Sequence, residues 1–325
     1  MSAPLIERFR DRLPVSASTP VVSLGEGSTP LLRAPRLSER LGIELWLKWE
    51  PANPTGSYKD RGMTVAVSKA VESGATAVVC ASTGNTAASA AAYASRAGIS
   101  ALILQPAGAV ALGKLAQTRA YGARVLEVRG SFDQALDAAR KLTERGTHVL
   151  VNSLNPHRIE GQKTAVFEIV EELGGVPDVL AIPYGGGGNT VSYATGLAEL
   201  GLSVRIVSAQ AADRRHTVAT AIRIADPAHA RAVAATPAEV VTVTDEQILA
   251  AWSDLARLEG LFCEPSSAAG IAALALDPPR GARVVATITG HGLKDPETAD
   301  RLAPSSVVVD PDPDAIAAAA EAPAL

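Results

Sequence analysis

Residues 76–98 read TAVVCASTGNTAASAAAYASRAG. TAVVC (76–80) is a short β-branched run that predicts a strand, and NTAASAAAYASRAG (85–98) predicts a helix. The alternation continues outward from this pair. ALILQ (101–105), a helix near 111–121, RVLEV (124–128), a helix over 132–145 and HVLVN (148–152) follow in order. A run of βα units predicts a parallel sheet with right-handed crossovers. A second run starts with a helix over 159–173 and the strand DVLAIP (178–183). A helix over 189–200, SVRIVSA (203–209), helices near 245–259 and 265–276, and RVVATIT (283–289) complete it. An N-terminal segment carries its own strand, ELWLKWE (44–50), and the acidic Pro/Ala-rich tail reads as frayed or as a short docked helix. The expected fold is therefore α/β with two lobes. Each is a twisted, mostly parallel sheet flanked by helices, with the site in the cleft between them. The expected division is 1–72 plus 150–325 for a large lobe and 73–149 for a small one.

The composition narrows the function. With 325 residues, 47% apolar and a formal charge of −4, the chain has a large core and no basic surplus for nucleic acid or an anionic membrane. No apolar run reaches the roughly 18 residues of a membrane span, and residues 1–14 lack the apolar centre of a signal peptide. Cys80 and Cys263 form no motif, and the five histidines have no paired spacing, so neither a disulfide framework nor a metal site is expected. A soluble, reduced, cytoplasmic protein is the starting expectation.

Open α/β sheets bind ligands beyond the C-terminal ends of their strands, so the strand-to-helix loops carry the search. In EPANPTGSYKDRG (50–62), Lys59 stands near a helix start, where the dipole disfavours its charged form; a neutral amine suits imine chemistry. The plainer alternative is a surface lysine paired with Asp60. Among the seven lysines, Lys294 after TGHG is the main competitor. In CASTGNTAAS (80–89), hydroxyls, an amide and free N–H groups could cradle a carboxylate, or Ser or Thr could simply cap the helix. In PYGGGGNT (183–190), four glycines let backbone N–H groups converge on an anion, the alternative being a flexible turn. It is neither a Walker A nor a dinucleotide loop. NSLNPHRIEGQKT (152–164) could bind a second anion or cap a helix, and TGHGLKDP (289–296) offers the Thr289 hydroxyl. An amine, two anion cradles and a terminal hydroxyl together fit pyridoxal 5′-phosphate (PLP) with an amino-acid substrate.

The motifs NPTGSYKDRG, ASTGNTAASAAAYA, NPHRIEGQKTAVFEI, EPSSAAGIAAL and TGHGLKDP, in this order, resemble those of the threonine synthases, PLP enzymes of the second fold type. The likeness runs from GEGSTPLL (25–32) to about residue 300. It implies that Lys59 holds PLP covalently and serves as the general base. Asn85 would hydrogen-bond the cofactor's 3′ oxygen. Gly185, Gly186, Gly187, Gly188 and Asn189 would bind its phosphate, and Thr289 would meet the pyridine nitrogen. Ser82, Thr83 and Thr86 would hold the substrate carboxylate; Asn152, Ser153 and Arg158 would hold the substrate phosphate. The implied reaction converts O-phospho-L-homoserine and water to L-threonine and phosphate by γ-elimination and β-addition. A homodimer is expected, as is common among such enzymes.

Two departures bear on specificity. The family's phosphate loop usually reads like G-N-A-G-N, so Gly186 stands where an asparagine is usual. GGGG is closer to the serine/threonine dehydratases. The stretch after SAQ (208–210) passes almost directly from AADRRH to TVATAIRI and is about a dozen residues shorter than the resemblance leads one to expect. Tyr58 in place of Phe is milder. The competing expectation is a paralogue acting on another amino acid, such as a dehydratase or a β/γ-replacement enzyme. A third is a non-catalytic PLP-binding protein.

Overall fold

The computed structural model describes residues 3–108, 112–302 and 306–321. Among these described residues ten strands run in chain order: β1 (Leu31–Arg33), β2 (Glu44–Trp49), β3 (Ala77–Ala81), β4 (Ser100–Pro106), β5 (Arg124–Val128), β6 (His148–Leu150), β7 (Val179–Pro183), β8 (Arg205–Ala211), β9 (Ala238–Val243) and β10 (Arg283–Ile288). They form a six-stranded sheet, β1-β2-β10-β7-β8-β9, and a four-stranded one, β5-β4-β3-β6. The β1–β2 pair is antiparallel. Every other pair in both sheets is parallel. The predicted βα alternation is therefore the observed one. The smaller sheet takes all of its strands from residues 77–150, and the larger takes its own from both flanks of that segment.

Successive side chains of a strand point to opposite faces, and both faces of the larger sheet are covered. Leu45, Leu47, Ala181, Val207 and Ile288 join one core with Ile248 and Leu255 of the helix Asp245–Glu259. The alternate residues Leu180, Ile182, Ile206 and Val285 join another with Val166 and Ile169 of the helix Pro156–Leu173 and Tyr193 and Leu197 of the helix Gly188–Glu199. In the smaller sheet, Val78, Cys80 and Ile103 pack on the helices Lys59–Glu72 and Asn85–Ala97. Val79 and Leu104 pack on Ala135 and Ala139 of the helix Phe132–Thr143.

Two strands have no counterpart in the sequence reading. β1 has three residues and β9 is half exposed; both are edges of the larger sheet, where neither face carries a full apolar signal. Most of the acidic tail forms the helix Pro313–Glu321, while residues 322–325, residue 111 and the Lys114 side chain lie outside the described residues. Among the described residues no helix is long and apolar enough to cross a membrane.

Candidate active site

Lys59 is the first residue of its helix, with Tyr58 at the N-cap. Its Nζ donates to the Tyr58 hydroxyl at 2.7 Å and lies 4.4 Å from that ring's centre. It is not paired with Asp60. The Asp60 carboxylate turns inward and accepts from the Thr55 N–H (2.7 Å), the Thr55 hydroxyl (2.7 Å) and the Ser89 hydroxyl (2.5 Å). Burial pushes Asp60 up to about 6, against the pull of those three donors. The loop before Lys59 is strapped to the end of β10: Ser57 bridges Gly290, and the Tyr58 N–H donates to the Thr289 carbonyl at 3.0 Å.

Behind Lys59, Arg61 is fully buried and held by carboxylates on both sides. It donates to Glu50 at 2.8 Å and to Glu168 at 2.6 Å. Lys48 reaches Glu168 at 3.0 Å and Glu172 at 2.7 Å. The network joins β2, the Lys59 helix and the Pro156 helix. Arg61 is held more firmly charged than usual; burial opposes this, but the adjacent carboxylates of Glu168 and Glu50 outweigh it. The lysine of the polar 152–164 segment, Lys163, is buried between Glu160 and Glu199.

Thr289 is buried beside Ser267, the two hydroxyls lying 2.9 Å apart. Ser267 Oγ also accepts the N–H of Thr289 (3.1 Å) and of Gly290 (2.9 Å). Ser267 Oγ also faces the Gly290 carbonyl at 3.3 Å, and in the hydroxyl pair either Ser267 or Thr289 can donate. Asn85 opens its helix, and its Nδ2 donates to Glu264 Oε1 at 2.9 Å. No Ser or Thr caps that helix: the N-cap is Gly84, without a side-chain cap, and Ser82 Oγ instead accepts the Gly84 N–H at 3.2 Å. The first-turn N–H groups beside the half-buried Ser82, Thr83 and Thr86 therefore stay available to an anion.

The glycine loop follows the same rule. Gly187, at φ +87°, caps the next helix with no side-chain partner. Among the described residues, the N–H groups of Gly185, Gly186 and Gly187 meet no acceptor. The buried Asn189 Nδ2 also lacks a partner. In the segment after β6, Arg158 is buried, donates to the Val151 carbonyl at 2.9 Å and points a second nitrogen at the Lys59 carbonyl at 3.5 Å. Among the described residues no carboxylate lies within ion-pair distance of Arg158, and burial lowers its pKa. The Asn152 amide is engaged at both ends by the Ala81 backbone, at 2.9 and 2.8 Å. The Ser153 carbonyl meets His229 Nε2 at 3.0 Å, and the His229 N–H meets the Gly186 carbonyl at 3.0 Å. These contacts chain the glycine loop to the 152–158 segment, and that segment to Lys59.

The family model described as "Pyridoxal-phosphate dependent enzyme" matches residues 22–290. The chain belongs to the pyridoxal-phosphate-dependent enzymes. Among members of this family, it is 48% identical over 320 residues to the threonine synthase of Halalkalibacterium halodurans, covering 91% of this chain and 90% of that one. It is 50% identical over 321 residues to that of Synechocystis sp., covering 91% and 84%. Among solved structures, maize serine racemase superposes with a TM-score of 0.75 at 23% identity, over 84% of this chain and 91% of that one. A threonine deaminase isoform of Solanum lycopersicum does so at 0.73 and 26%, over 84% and 81%. As a pyridoxal-phosphate-dependent enzyme the chain uses PLP, and the residues present fit that group. An orphaned buried amide at Asn189, unmet N–H groups on the glycine loop, an amine at a helix start and a buried hydroxyl at Thr289 all match its functional groups.

Several functional neighbours were not assigned roles from the sequence. Glu264 and Ser267 belong to EPSSAAG, a stretch that carried the resemblance without suggesting what its side chains touch. Lys294, the competitor to Lys59, donates to Gln117 Oε1 at 2.6 Å, and burial lowers its pKa.

Proposed function

We propose that this chain is a threonine synthase, converting O-phospho-L-homoserine and water to L-threonine and phosphate. The observation that carries the reading is Arg158. A guanidinium that is buried, beside the Lys59 loop and without a carboxylate calls for an anion, and a bidentate fork suits a phosphate. The family's implied roles are taken on as part of the proposal. Gly185 to Asn189 would hold the cofactor phosphate, Asn85 its 3′ oxygen, Thr289 its ring nitrogen and Lys59 its carbonyl carbon. When bound there, PLP supplies an electron sink for the carbon adjacent to the amino group.

The remaining work falls to the chain's own groups. The N–H groups near Ser82, Thr83 and Thr86 hold the substrate carboxylate. The Lys59 amine takes the Cα proton and then assists proton loss at Cβ. Arg158 and Ser153 stabilise the departing phosphate. Thr289 offers a hydroxyl rather than a carboxylate, which would leave the ring nitrogen largely unprotonated and would favour elimination over transamination. The lobes, 1–72 plus 150–325 and 73–149, belong to the same proposal, supported by the separation of the two sheets.

The test is a substrate screen with phosphate and keto-acid readouts. Threonine and phosphate from O-phosphohomoserine support the reading. No phosphate release, together with a keto acid from threonine or serine, replaces it with the dehydratase reading that the GGGG loop favours.

A further inference from the structure

We propose that Arg214 is the positioning residue of the glycine loop, holding it open as a phosphate cradle; this rests on the reading that the loop binds the cofactor phosphate. Four consecutive glycines have little to hold them in one conformation. At Gly186 a Cβ would meet only Ile224 Cδ1, at 3.7 Å, so packing alone does not fix that residue. Arg214 does so from outside. Its Nη2 donates to the Gly185 carbonyl at 2.9 Å, its Nε to the Ile224 carbonyl at 2.9 Å and its Nη1 to Gln210 Oε1 at 2.8 Å. Its guanidinium carbon stands 5.1 Å from the centre of the Tyr184 ring. The His229 N–H holds the next carbonyl, that of Gly186, at 3.0 Å.

The consequence follows from peptide geometry. Among the described residues there is no cis peptide bond, and in a trans peptide the N–H points opposite to the C=O. Holding the carbonyls of Gly185 and Gly186 outward turns the N–H groups of Gly186 and Gly187 to the other side. Those are N–H groups that meet no acceptor among the described residues. Arg214 lies in DRRH, just after β8, and its bond to the Gly185 carbonyl ties that segment to the glycine loop.

The experiment compares holoenzymes of wild type, Arg214→Ala, Arg214→Lys and Asn189→Ala, following PLP release by absorbance and the cofactor phosphate by ³¹P NMR. Arg214→Ala is expected to release PLP roughly tenfold faster, the effect of losing a charged hydrogen bond. Its ³¹P resonance should broaden and move towards that of free PLP, and Arg214→Lys should recover part of both changes. If Asn189→Ala shows these changes and Arg214→Ala does not, the positioning role is wrong and the cradle stands. If neither variant changes, the cradle reading falls and the positioning role with it. Should Arg214→Ala not fold, Arg214→Lys is measured with and without Gly186→Ala, whose Cβ has room and which stiffens the loop. An equal cost in both backgrounds overturns the proposal; a smaller cost in the stiffened one supports it.

Discussion

The N–H of Tyr58 donates to the carbonyl of Thr289 across 3.0 Å, although 231 positions separate them in the chain. This bond places the start of the Lys59 helix against the end of β10. The amine and the terminal hydroxyl are thereby held in one site by backbone, independent of any side chain that chemistry might need free.

Borohydride treatment of the holoenzyme should remove its visible absorption band and leave the pyridoxyl label on Lys59. Lys294→Met should not change this, because Lys294 is engaged by Gln117 rather than aimed at the glycine loop. A label on Lys294, read by peptide mass spectrometry, would overturn the assignment.

Arg158→Lys should raise KM for O-phosphohomoserine by about a hundredfold, since a lysine lacks the fork and truncating a buried charged donor costs several kcal/mol. The PLP absorption spectrum should stay as in the wild type. Loss of the spectrum along with KM would assign Arg158 to the cofactor instead.

Gly186→Asn should increase phosphate release if the substrate is the family's. The added Cβ is accommodated, with Ile224 Cδ1 at 3.7 Å as its nearest neighbour. One amide donor to a charged oxygen is worth about 1.5–3 kcal/mol, so a tenfold gain or more is expected in kcat/KM. An unchanged or lower value would count against the phosphorylated substrate.

Gly161→Ala should destabilise the fold by about 3 kcal/mol, at the upper end of overpacking costs. Its Cβ would sit 2.1 Å from the Arg61 carbonyl oxygen and 2.7 Å from Gly62 Cα, where the Lys59 and Pro156 helices touch backbone to backbone. Urea unfolding should show the loss in the midpoint. A neutral result would mean that the two helices separate easily.

Asp60 gives a pH dependence with a definite sign. Its folded value is raised from 3.8 to about 6, so the native state holds a proton that the unfolded chain releases. Its contribution to stability is present below pH 3.8 and is lost as pH rises through about 6. A shift of about two units corresponds to roughly 3 kcal/mol. Relative to Asp60→Asn, the wild type should therefore lose stability between pH 4 and 6 in urea titrations. Parallel curves for the two proteins would show that the three hydrogen-bond donors hold Asp60 ionised.

Much of this protein was legible along the chain because its signals are local. Strand and helix periods, the glycine loop, the lysine at a turn and the motifs that resemble the threonine synthases all lie within windows of a few to twenty residues. Burial of charge was not legible. Lys48, Glu50, Arg61 and Glu168 are charged types that read as solvated, yet each side chain is at most 1% exposed. They are buried because each brings the other's counter-charge from a different element, and no single window contains the pair. The edge strands β1 and β9 escaped for a related reason: their state comes from a neighbour's hydrogen bonds rather than from their own pattern.

The sequence by itself determined the α/β alternation and the use of PLP, since these depend on residue type and spacing. Only the tertiary structure decided which partner each site residue has. Asn85 faces Glu264, Thr289 shares its hydroxyl with Ser267, and Arg158 and Asn189 are left wanting an anion and an acceptor. Arg214, to which the sequence reading assigned no role, reaches the Gly185 carbonyl of the glycine loop. Those pairings join residues far apart in the chain, and they arise only when the parallel sheets bring the C-terminal ends of their strands together.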